Sequence, residues 1–267
     1  EYDGTAVSSF THAISSFTIG KYEVTYEVWY TVYQWALTQG YQFANSGREG
    51  SSGTYDNTVP TTAMHQPVVN IDWFDAIVWC NAYSQIEGKT AAYYSDITYK
   101  NPIKDSRDSY PAQCVYVNWN VNGYRLPTEG EWQYAASYKD GSSWTPYNYA
   151  SGATAYYHNR TETGLVAWYY YNSESPQGTS TVGTKGANAL GIHDMSGNVW
   201  EFCWDWSIGY PAEAQTNYRG PASGEYRIKR GGSYYNDTDL LQVGYRDDSY
   251  NPFHEFATSG FRVARSQ

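Results

Sequence analysis

Apolar residues recur at helical spacing in three segments of this chain, and each segment opens beside a residue that can cap a helix. The pattern predicts a helix over residues 26–37 after Thr25, a second over residues 73–86 after Asp72, and a third after Thr128. Thr128 and Glu131 have the capping-box spacing that satisfies backbone N–H groups at a helix start. The residues predicted to face inward are Val28, Val32, Trp35, Trp29 and Ala36 in the first helix, and Phe74, Ile77, Val78 and Ala82 in the second.

The remainder of the sequence is dominated by Gly, Asn, Ser, Asp and Tyr, which favour turns and short strands. Strands are predicted over residues 18–24, 227–230 and 260–264. Residues 40–62 and 139–185 show no periodicity, and such long loops usually have a function or are packed by their own aromatic side chains. No segment has the composition of a linker, so residues 1–267 are predicted to form a single domain.

Composition argues against several classes of function. The 267 residues carry a net charge of -10, and Lys and Arg are not clustered, so binding to nucleic acid is not expected. No window of 18 or more apolar residues occurs, and no membrane span is predicted. The cysteines, Cys80, Cys114 and Cys203, match neither a zinc pattern nor a Cys-x-x-Cys redox motif. We interpret each as a small buried apolar residue.

Tyrosine and tryptophan are unusually frequent, with 30 and 11 residues respectively. Their rings give a large contact area with few rotatable bonds and a polar group at the edge. Two interpretations stay open at this stage. The rings pack the core of a loop-rich domain, or they form a recognition surface of the kind that is rich in Tyr, Ser, Gly and Asn.

A series of short motifs spans most of the chain. They are Glu23-Val24-Thr25, Pro67-Val68-Val69-Asn70, Asp72-Trp73-Phe74-Asp75-Ala76, Tyr124-Arg125-Leu126-Pro127-Thr128-Glu129-Gly130-Glu131-Trp132, Gly197-Asn198-Val199-Trp200-Glu201, Arg230-Gly231-Gly232-Ser233 and Gly260-Phe261-Arg262. In this order they resemble the formylglycine-generating-enzyme family, also called the sulfatase-modifying factors. The resemblance implies a mixed, loop-rich α+β fold, namely the C-type-lectin-like fold in its formylglycine-generating-enzyme variant, with helices around a small twisted sheet.

The oxidase of that family works through a pair of cysteines just after the Gly-Gly-Ser motif. When the chain is aligned from Gly231, these two places fall on Asn236 and Leu241. Neither side chain can form a thiolate or ligate copper. The resemblance therefore implies a retained scaffold without the oxidase chemistry, and the chain is predicted not to be an enzyme.

The variable proteins of diversity-generating retroelements are the branch of the family that this sequence resembles most. They carry a hypervariable segment between Gly-Gly-Ser and Gly-Phe-Arg, written by replacing adenines in template Asn codons, which yields Asn, Asp, Tyr, Ser, His and Thr. Residues 235–257 hold many of these types. The predicted ligand-binding residues are Tyr235, Asn236, Asp237, Asp239, Leu240, Tyr245, Asp247, Asp248, Ser249, Tyr250, Asn251, Phe253, His254, Phe256 and Ala257. The alternative is an ordinary pair of polar loops on a lectin-like or inactive enzyme-like domain.

Some members of the family bind calcium near the Gly-Asn-x-Trp-Glu motif. Carried over by position, the ligands would be the side chains of Asp194 and Glu201 and the carbonyls of Gly197 and Val199, an all-oxygen set that suits calcium. The alternative is that these carboxylates accept loop N–H groups or pair with Arg. No cofactor is otherwise required, so a structural calcium ion is the one cofactor that the resemblance suggests.

Three functions follow from these observations. The first is a non-catalytic ligand-binding protein that displays a diversified polar and aromatic surface; the others are a carbohydrate-binding lectin module and a formylglycine-generating-type oxidase. The partner expected for the first is an unidentified macromolecule, a protein or a glycan on another cell. The resemblance alone places the protein at the cell surface or among secreted proteins.

Overall fold

The computed structural model describes residues 10–51, 53, 56–107, 114–173 and 178–267. The α-helices of these residues are α1 (Tyr26–Thr38), α2 (Trp73–Ile86), α3 (Glu129–Ser137) and α4 (Arg160–Val166). The first three begin where the predicted caps stand. Thr25 accepts a hydrogen bond from the N–H of Val28, Asp72 caps α2, and Thr128 forms the predicted capping box with Glu131. Within the described ranges, no helix has the length and apolarity needed to cross a bilayer.

The described residues also form strands that assemble into one central sheet and several small ones. The strands are β1 (His12–Ala13), β2 (Phe17–Ile19), β3 (Arg48–Glu49), β4 (Val68–Val69), β5 (Tyr93–Tyr94), β6 (Tyr116–Val117), β7 (Trp200–Trp206), β8 (Gln215–Thr216), β9 (Arg227–Arg230), β10 (Arg246–Tyr250), β11 (Ser259–Gly260) and β12 (Ala264–Ser266). The central sheet has the order β10-β9-β7-β11. β9 is antiparallel to both of its neighbours, and β11 is parallel to β7. The predicted α+β class is confirmed.

The predicted strand over residues 260–264 is wrong, because the structure divides it between two sheets. Residues 259–260 pair with β7, and residues 264–266 pair with β2. Between them the carbonyl of Phe261 accepts the N–H of Val24 at 2.9 Å, and the carbonyl of Val263 accepts the N–H of Gly20 at 2.7 Å. The strand expected over residues 18–24 is correspondingly confined to Phe17–Ile19.

The longest strand described, β7, cannot be recognised from the pattern of its residues. All of its residues but one are buried, because both faces of the central sheet are covered. A strand of this kind shows no alternation of apolar and polar residues, so periodicity does not reveal it. The short helix α4 was missed for the opposite reason, since it lies in the aperiodic stretch 139–185 and buries only Thr163 and Val166.

The face of α1 that packs on the core differs from the predicted one. Val28 is 40% exposed, whereas Trp29 is fully buried. The predicted stripe is therefore rotated, and the buried side is formed by Tyr26, Trp29, Val32, Tyr33 and Ala36. The large indole of Trp29 sets the rotation, because it stacks on Trp79 of α2 with the ring planes 6° apart and the centroids 5.9 Å apart.

Helix α2 is the centre of the core. It is buried on nearly every side, because protein surrounds it. The four residues predicted to face inward, Phe74, Ile77, Val78 and Ala82, are all buried. Phe261 of the Gly-Phe-Arg motif contacts the ring of Trp79 edge-on, with centroids 5.4 Å apart. The end of the chain is thereby fixed to the first half of the sequence.

The Gly-Asn-Val-Trp-Glu and Gly-Phe-Arg motifs are buried together. Trp200 pairs with Ser259 across β7 and β11, and Glu201 pairs with Gly260. Trp200 is 6% exposed. Its indole lies beneath Tyr245, with ring centroids 5.9 Å apart, so the motif supports the segment that follows β9.

We expect Trp200→Ala to lower the free energy of unfolding by about 3–5 kcal/mol, because it empties a large buried volume. Trp144→Ala is the matched control, since Trp144 is 46% exposed and leaves no comparable cavity. Urea unfolding of both variants measures the difference. Equal losses in the two variants would contradict the structural role of Trp200.

Candidate ligand-binding face

The segment 235–257 begins at a turn that only glycine accommodates well. Gly231 and Gly232 have φ angles of 97° and 75°. A Cβ on Gly232 would lie 2.6 Å from Cδ2 of Leu241 and 2.8 Å from the carbonyl oxygen of Leu240. The absence of a side chain therefore lets the segment fold back tightly against its own start.

The first part of the segment is organised by local hydrogen bonds. The side-chain oxygen of Asn236 accepts the N–H of Ser233 at 2.9 Å and its hydroxyl at 2.7 Å. Asp237 caps the 3-10 turn Thr238–Leu240, and Leu241 follows as a fully buried residue. Asn236 and Leu241, which the resemblance leads us to expect at the family's two cysteine positions, thus have structural roles in this chain.

The second part of the segment is held from below by two arginines. Arg230 donates to the carbonyl of Val243 at 2.7 Å and also to that of Tyr245. Arg246 donates to the carbonyl of Ile208 at 2.7 Å and pairs with Glu129 at 3.0 Å. These groups fix the backbone around residues 243–246. The neighbouring side chains are therefore not needed to hold the backbone in place.

The predicted ligand-binding residues differ in exposure. Tyr235, Asp239, Ser249, Phe253, His254 and Phe256 are exposed, and Asn236, Asp237, Leu240, Tyr245, Asp247, Asp248, Asn251 and Ala257 are half-buried. Tyr250 is the exception, because it is 3% exposed and stacks on Phe202 with centroids 5.0 Å apart. Its hydroxyl donates to the carbonyl of His254 at 2.5 Å. The prediction that Tyr250 contributes an open side chain is wrong, since the irregular register of β10 turns this ring into the core.

The exposed and half-buried residues fall into two groups with Tyr245 between them. Burial raises the pKa of Tyr245, and the charges of Asp247, Asp239 and Asp248 raise it further. Tyr245 is therefore near Asp239 of the first part and near two aspartates of the second part. We call the residues of 235–257 other than Tyr250 that are exposed or half-buried the binding face.

A buried lysine supports the second group. Lys229 of β9 is 6% exposed, and its Nζ lies 3.3 Å from a carboxylate oxygen of Asp247. The same Nζ lies 4.6 Å from the ring centroid of Tyr250 and 5.3 Å from that of Phe256. A cation is favoured over aromatic faces, so Lys229 ties an acidic and an aromatic part of the face together. No pattern of residue types indicates this role of Lys229, because it depends on packing between strands.

Three residues outside the predicted segment extend the face. Arg160 pairs with Asp237 at 3.1 Å and lies 3.8 Å above the ring of Tyr171. The N–H of Tyr170 donates to the carbonyl of Asn236 at 3.0 Å, and both tyrosines are exposed. The run of tyrosines in the aperiodic stretch 139–185 was the available signal, because such stretches were expected to have a function or to be self-packed.

The predicted calcium ligands lie in a buried carboxylate cluster. Both carboxylate oxygens of Glu201 accept hydrogen bonds from Arg262 at 2.6 Å, and Trp132 donates to one of them at 2.8 Å. Glu201 therefore matches the alternative of pairing with Arg, and it does not fit as a calcium ligand in this arrangement. Asp194 accepts the N–H of Gly183 through Oδ2, whereas its buried Oδ1 has no hydrogen-bond partner.

Calcium binding at this loop stays a prediction, but its ligands would be Oδ1 of Asp194 and the carbonyls of Gly197 and Val199, without Glu201, which is held by Arg262. Among the residues described, no group of three or more His, Cys, Asp or Glu side chains is placed to hold a metal ion. Thermal unfolding with and without a strong chelator tests the prediction, because an ion bound only by the native state raises the Tm. An unchanged Tm would count against calcium at this loop.

The buried carboxyl groups beneath the binding face should make the stability of the protein depend on pH. Burial, followed by the charge of Glu129, raises the pKa of Asp205 to about 8. Its carboxylate also accepts the N–H of Glu129 at 2.6 Å. A carboxyl group with a raised folded-state pKa binds its proton more tightly in the native state, so its contribution to stability falls as pH rises from about 4 to about 8.

Asp205→Asn should therefore flatten the pH dependence of the unfolding free energy between pH 5 and 8. The difference between the two proteins should change by up to about 1.4 kcal/mol per pH unit, the limit for one linked proton. Urea unfolding at several pH values measures both slopes. Parallel slopes would show that Asp205 titrates normally in the folded protein.

Comparison with known proteins identifies relatives of the whole chain. The family model described as the sulfatase-modifying factor enzyme 1-like domain matches residues 5–267. The chaperone protein LppX of Paenibacillus barcinonensis is 31% identical over 269 residues, which cover 95% of this chain and 81% of that protein. The formylglycine-generating enzyme of Mus musculus is 28% identical over 65% of this chain, and the match spans 45% of the enzyme.

The structure of Treponema denticola variable protein 1 superposes with a TM-score of 0.77 at 30% sequence identity, covering 100% of this chain and 90% of that one. The similarity includes the C-type-lectin-like arrangement expected from the motifs. With a family model that spans nearly all of its residues, this chain belongs to the sulfatase-modifying factor (formylglycine-generating-enzyme) family.

Proposed function

We propose that this protein is a non-catalytic ligand-binding protein and that the binding face is its diversified surface. The observation that carries the proposal is that different residues hold the backbone and form the exposed surface around residues 235–257. Buried groups such as Arg230 and Arg246 hold the backbone, whereas exposed side chains such as Tyr235, Asp239 and His254 have no packing role in the core. Side chains in such positions can change without altering the scaffold that presents them.

The similarity to Treponema denticola variable protein 1 supports this proposal, because it extends over the whole chain and includes the segment in question. The residue types on the face agree with it as well. Asn, Asp, Tyr, Ser and His are the types that the diversification chemistry of the resembled proteins produces, and they account for most of the binding face. The polar extension by Tyr170 and Tyr171 adds contact area beside Tyr235.

The thiols of this chain argue against a formylglycine-generating oxidase. Cys80 and Cys203 are fully buried, and burial raises the pKa of both thiols, which disfavours the reactive thiolate. Cys114 is half-buried and lies outside the segment 235–257. The positions that align with the family's cysteines are filled by Asn236 and Leu241. Turnover of a cysteine-containing sulfatase peptide would restore the oxidase as the better explanation.

The chemistry of the face indicates the kind of partner. Asp239, Asp248 and Glu255 add acidic groups, while Phe253 and Phe256 are 45% and 44% exposed. Aromatic anchors commonly supply most of the affinity at an interface, and acidic groups select a basic or hydroxyl-rich partner. We therefore infer a macromolecular ligand outside the cell, a protein or a glycan, which is consistent with display at the cell surface or with secretion.

The test is a triple substitution of exposed residues from both parts of the face, Tyr235→Ala, Asp239→Ala and His254→Ala. A matched control changes exposed residues elsewhere, Tyr22→Ala, Glu87→Ala and His65→Ala. Binders are first selected with the wild-type protein from a phage-displayed random-peptide library and from a glycan array. We expect the selected ligands to bind the face variant at least about tenfold more weakly, a loss of about 1.4 kcal/mol, and the control variant unchanged.

Thermal unfolding of both triple variants establishes that each is folded. Ligands that keep full affinity for the folded face variant would contradict the assignment of the face. Selection of glycans alone, with loss of binding in the face variant, would favour the lectin module among the functions considered.

A further inference from the structure

A cavity separate from the binding face lies between the start and the end of the described chain. It has a volume of about 330 Å³ and is lined by residues of the β1–β2 connection, of the segment 119–131, of the segment after β8 and of the C-terminal end. No residue of the binding face lines it. A cavity of this size lies in the range of small-molecule sites rather than of macromolecular interfaces.

The charged groups of this cavity are unusual for so acidic a chain. Arg125, Arg219 and Glu131 line it, so two guanidinium groups face one carboxylate in a protein of net charge -10. Arg125 and Glu131 form a two-pronged pair with N···O distances of 2.6 and 2.7 Å. Glu131 is thereby committed to Arg125, and one positive charge is left in excess.

Arg219 carries that excess charge. Its guanidinium lies 4.0 Å from the ring centroid of Trp119, and no carboxylate of the described residues is within ion-pair distance of it. Burial and the neighbouring charge of Arg125 lower the pKa of Arg219, while Glu131 acts in the opposite direction. The ring holds the planar group in place without neutralising it, so the guanidinium N–H groups remain available to an anion.

Arg125 contributes a second, buried cation to the wall. Its side chain is almost completely buried, and its Nε–H has no hydrogen-bond acceptor, although its other two nitrogens are bonded to Leu126, Glu131 and Ser266. This nitrogen is closed off from the cavity, so Arg125 contributes its charge and its pair with Glu131 to the wall, and Arg219 is the cation that a ligand can reach.

The rest of the lining is polar. Ser16, Thr128 and Asn120 present hydroxyl and amide groups. The Nε2 atom of His12 accepts the N–H of Tyr218 at 2.8 Å, so the neutral ring carries its proton on Nδ1. Burial lowers the pKa of His12, which keeps the ring neutral and leaves the two arginines as the cations of the site. Such a wall suits a ligand that carries several hydroxyl groups.

We propose that this cavity binds a small carboxylated and hydroxyl-rich ligand of the acidic-sugar class, with its carboxylate received by the guanidinium of Arg219. The planar guanidinium matches the geometry of a carboxylate. The single excess positive charge favours a monoanion over a phosphate dianion, because the second negative charge of a phosphate would lie near Glu131. The hydroxyl groups of a sugar would meet the hydroxyl and amide groups of the wall.

Isothermal titration with glucuronate tests the proposal directly. Methyl glucoside, acetate and inorganic phosphate are the comparison ligands, because they lack the carboxylate, the hydroxyl groups or the single charge. The variants are Arg219→Gln, which removes the free cation, and Asn120→Asp, which places a carboxylate at an exposed position of the rim. Arg160→Gln is the control, since this exposed arginine pairs with Asp237 on the binding face.

We expect glucuronate to bind and the three comparison ligands to bind at least about tenfold more weakly. Arg219→Gln and Asn120→Asp should each weaken glucuronate binding at least about tenfold, and Arg160→Gln should leave it unchanged. If Arg219→Gln fails to fold in thermal unfolding, Asn120→Asp carries the test alone. No heat at millimolar glucuronate, a preference for phosphate, or full affinity in the folded pocket variants would overturn the proposal.

Discussion

The structure around the binding face depends on buried guanidinium groups that hold backbone carbonyls. Arg230 and Arg246 share Glu129 as their carboxylate, and they donate to the carbonyls of Val243, Tyr245 and Ile208. Removing one partner of such a buried network typically costs about 3–5 kcal/mol, because an uncompensated charge remains in the core. Short loops that lack a regular ladder of hydrogen bonds obtain their defined backbone from these groups.

A second network performs the same task at the other end of the segment. Arg262 of the Gly-Phe-Arg motif pairs with Glu201 and donates to the carbonyls of Gly20 and His193. The two networks lie with the family motifs beneath the binding face, and the exposed side chains of the binding face lie above them. The motifs can therefore be retained while the positions between them differ, which is the physical basis for proposing a binding scaffold on an enzyme family's fold.

Local interactions were predictable from the sequence, and interactions between distant elements were less so. The caps at Thr25, Asp72 and Thr128 depend on near neighbours, and their spacing revealed them. The rotation of α1 was not predictable, because the stacking of Trp29 on Trp79 decides it. Strand β7 was hidden by burial on both of its faces.

In the candidate site, too, local features were predictable and contacts between distant residues were not. The limits of the segment followed from the flanking motifs, whereas the inward turn of Tyr250 depends on an irregular register between β9 and β10. Tyr170 and Lys229 join the face through contacts with Asn236 and Asp247, which are distant in sequence. Periodicity and residue type carry no information about such contacts.

The central claim is that the side chains of the face are independent of the fold. A displayed library in which Tyr235, Asp239, Ser249 and His254 vary among Asn, Asp, Tyr, Ser and His tests it most directly, with resistance to proteolysis as the measure of stability. We expect most members to keep the wild-type unfolding free energy within about 0.5 kcal/mol per substitution, while their ligand preferences differ. A stability that falls steadily with the number of changed positions would contradict it.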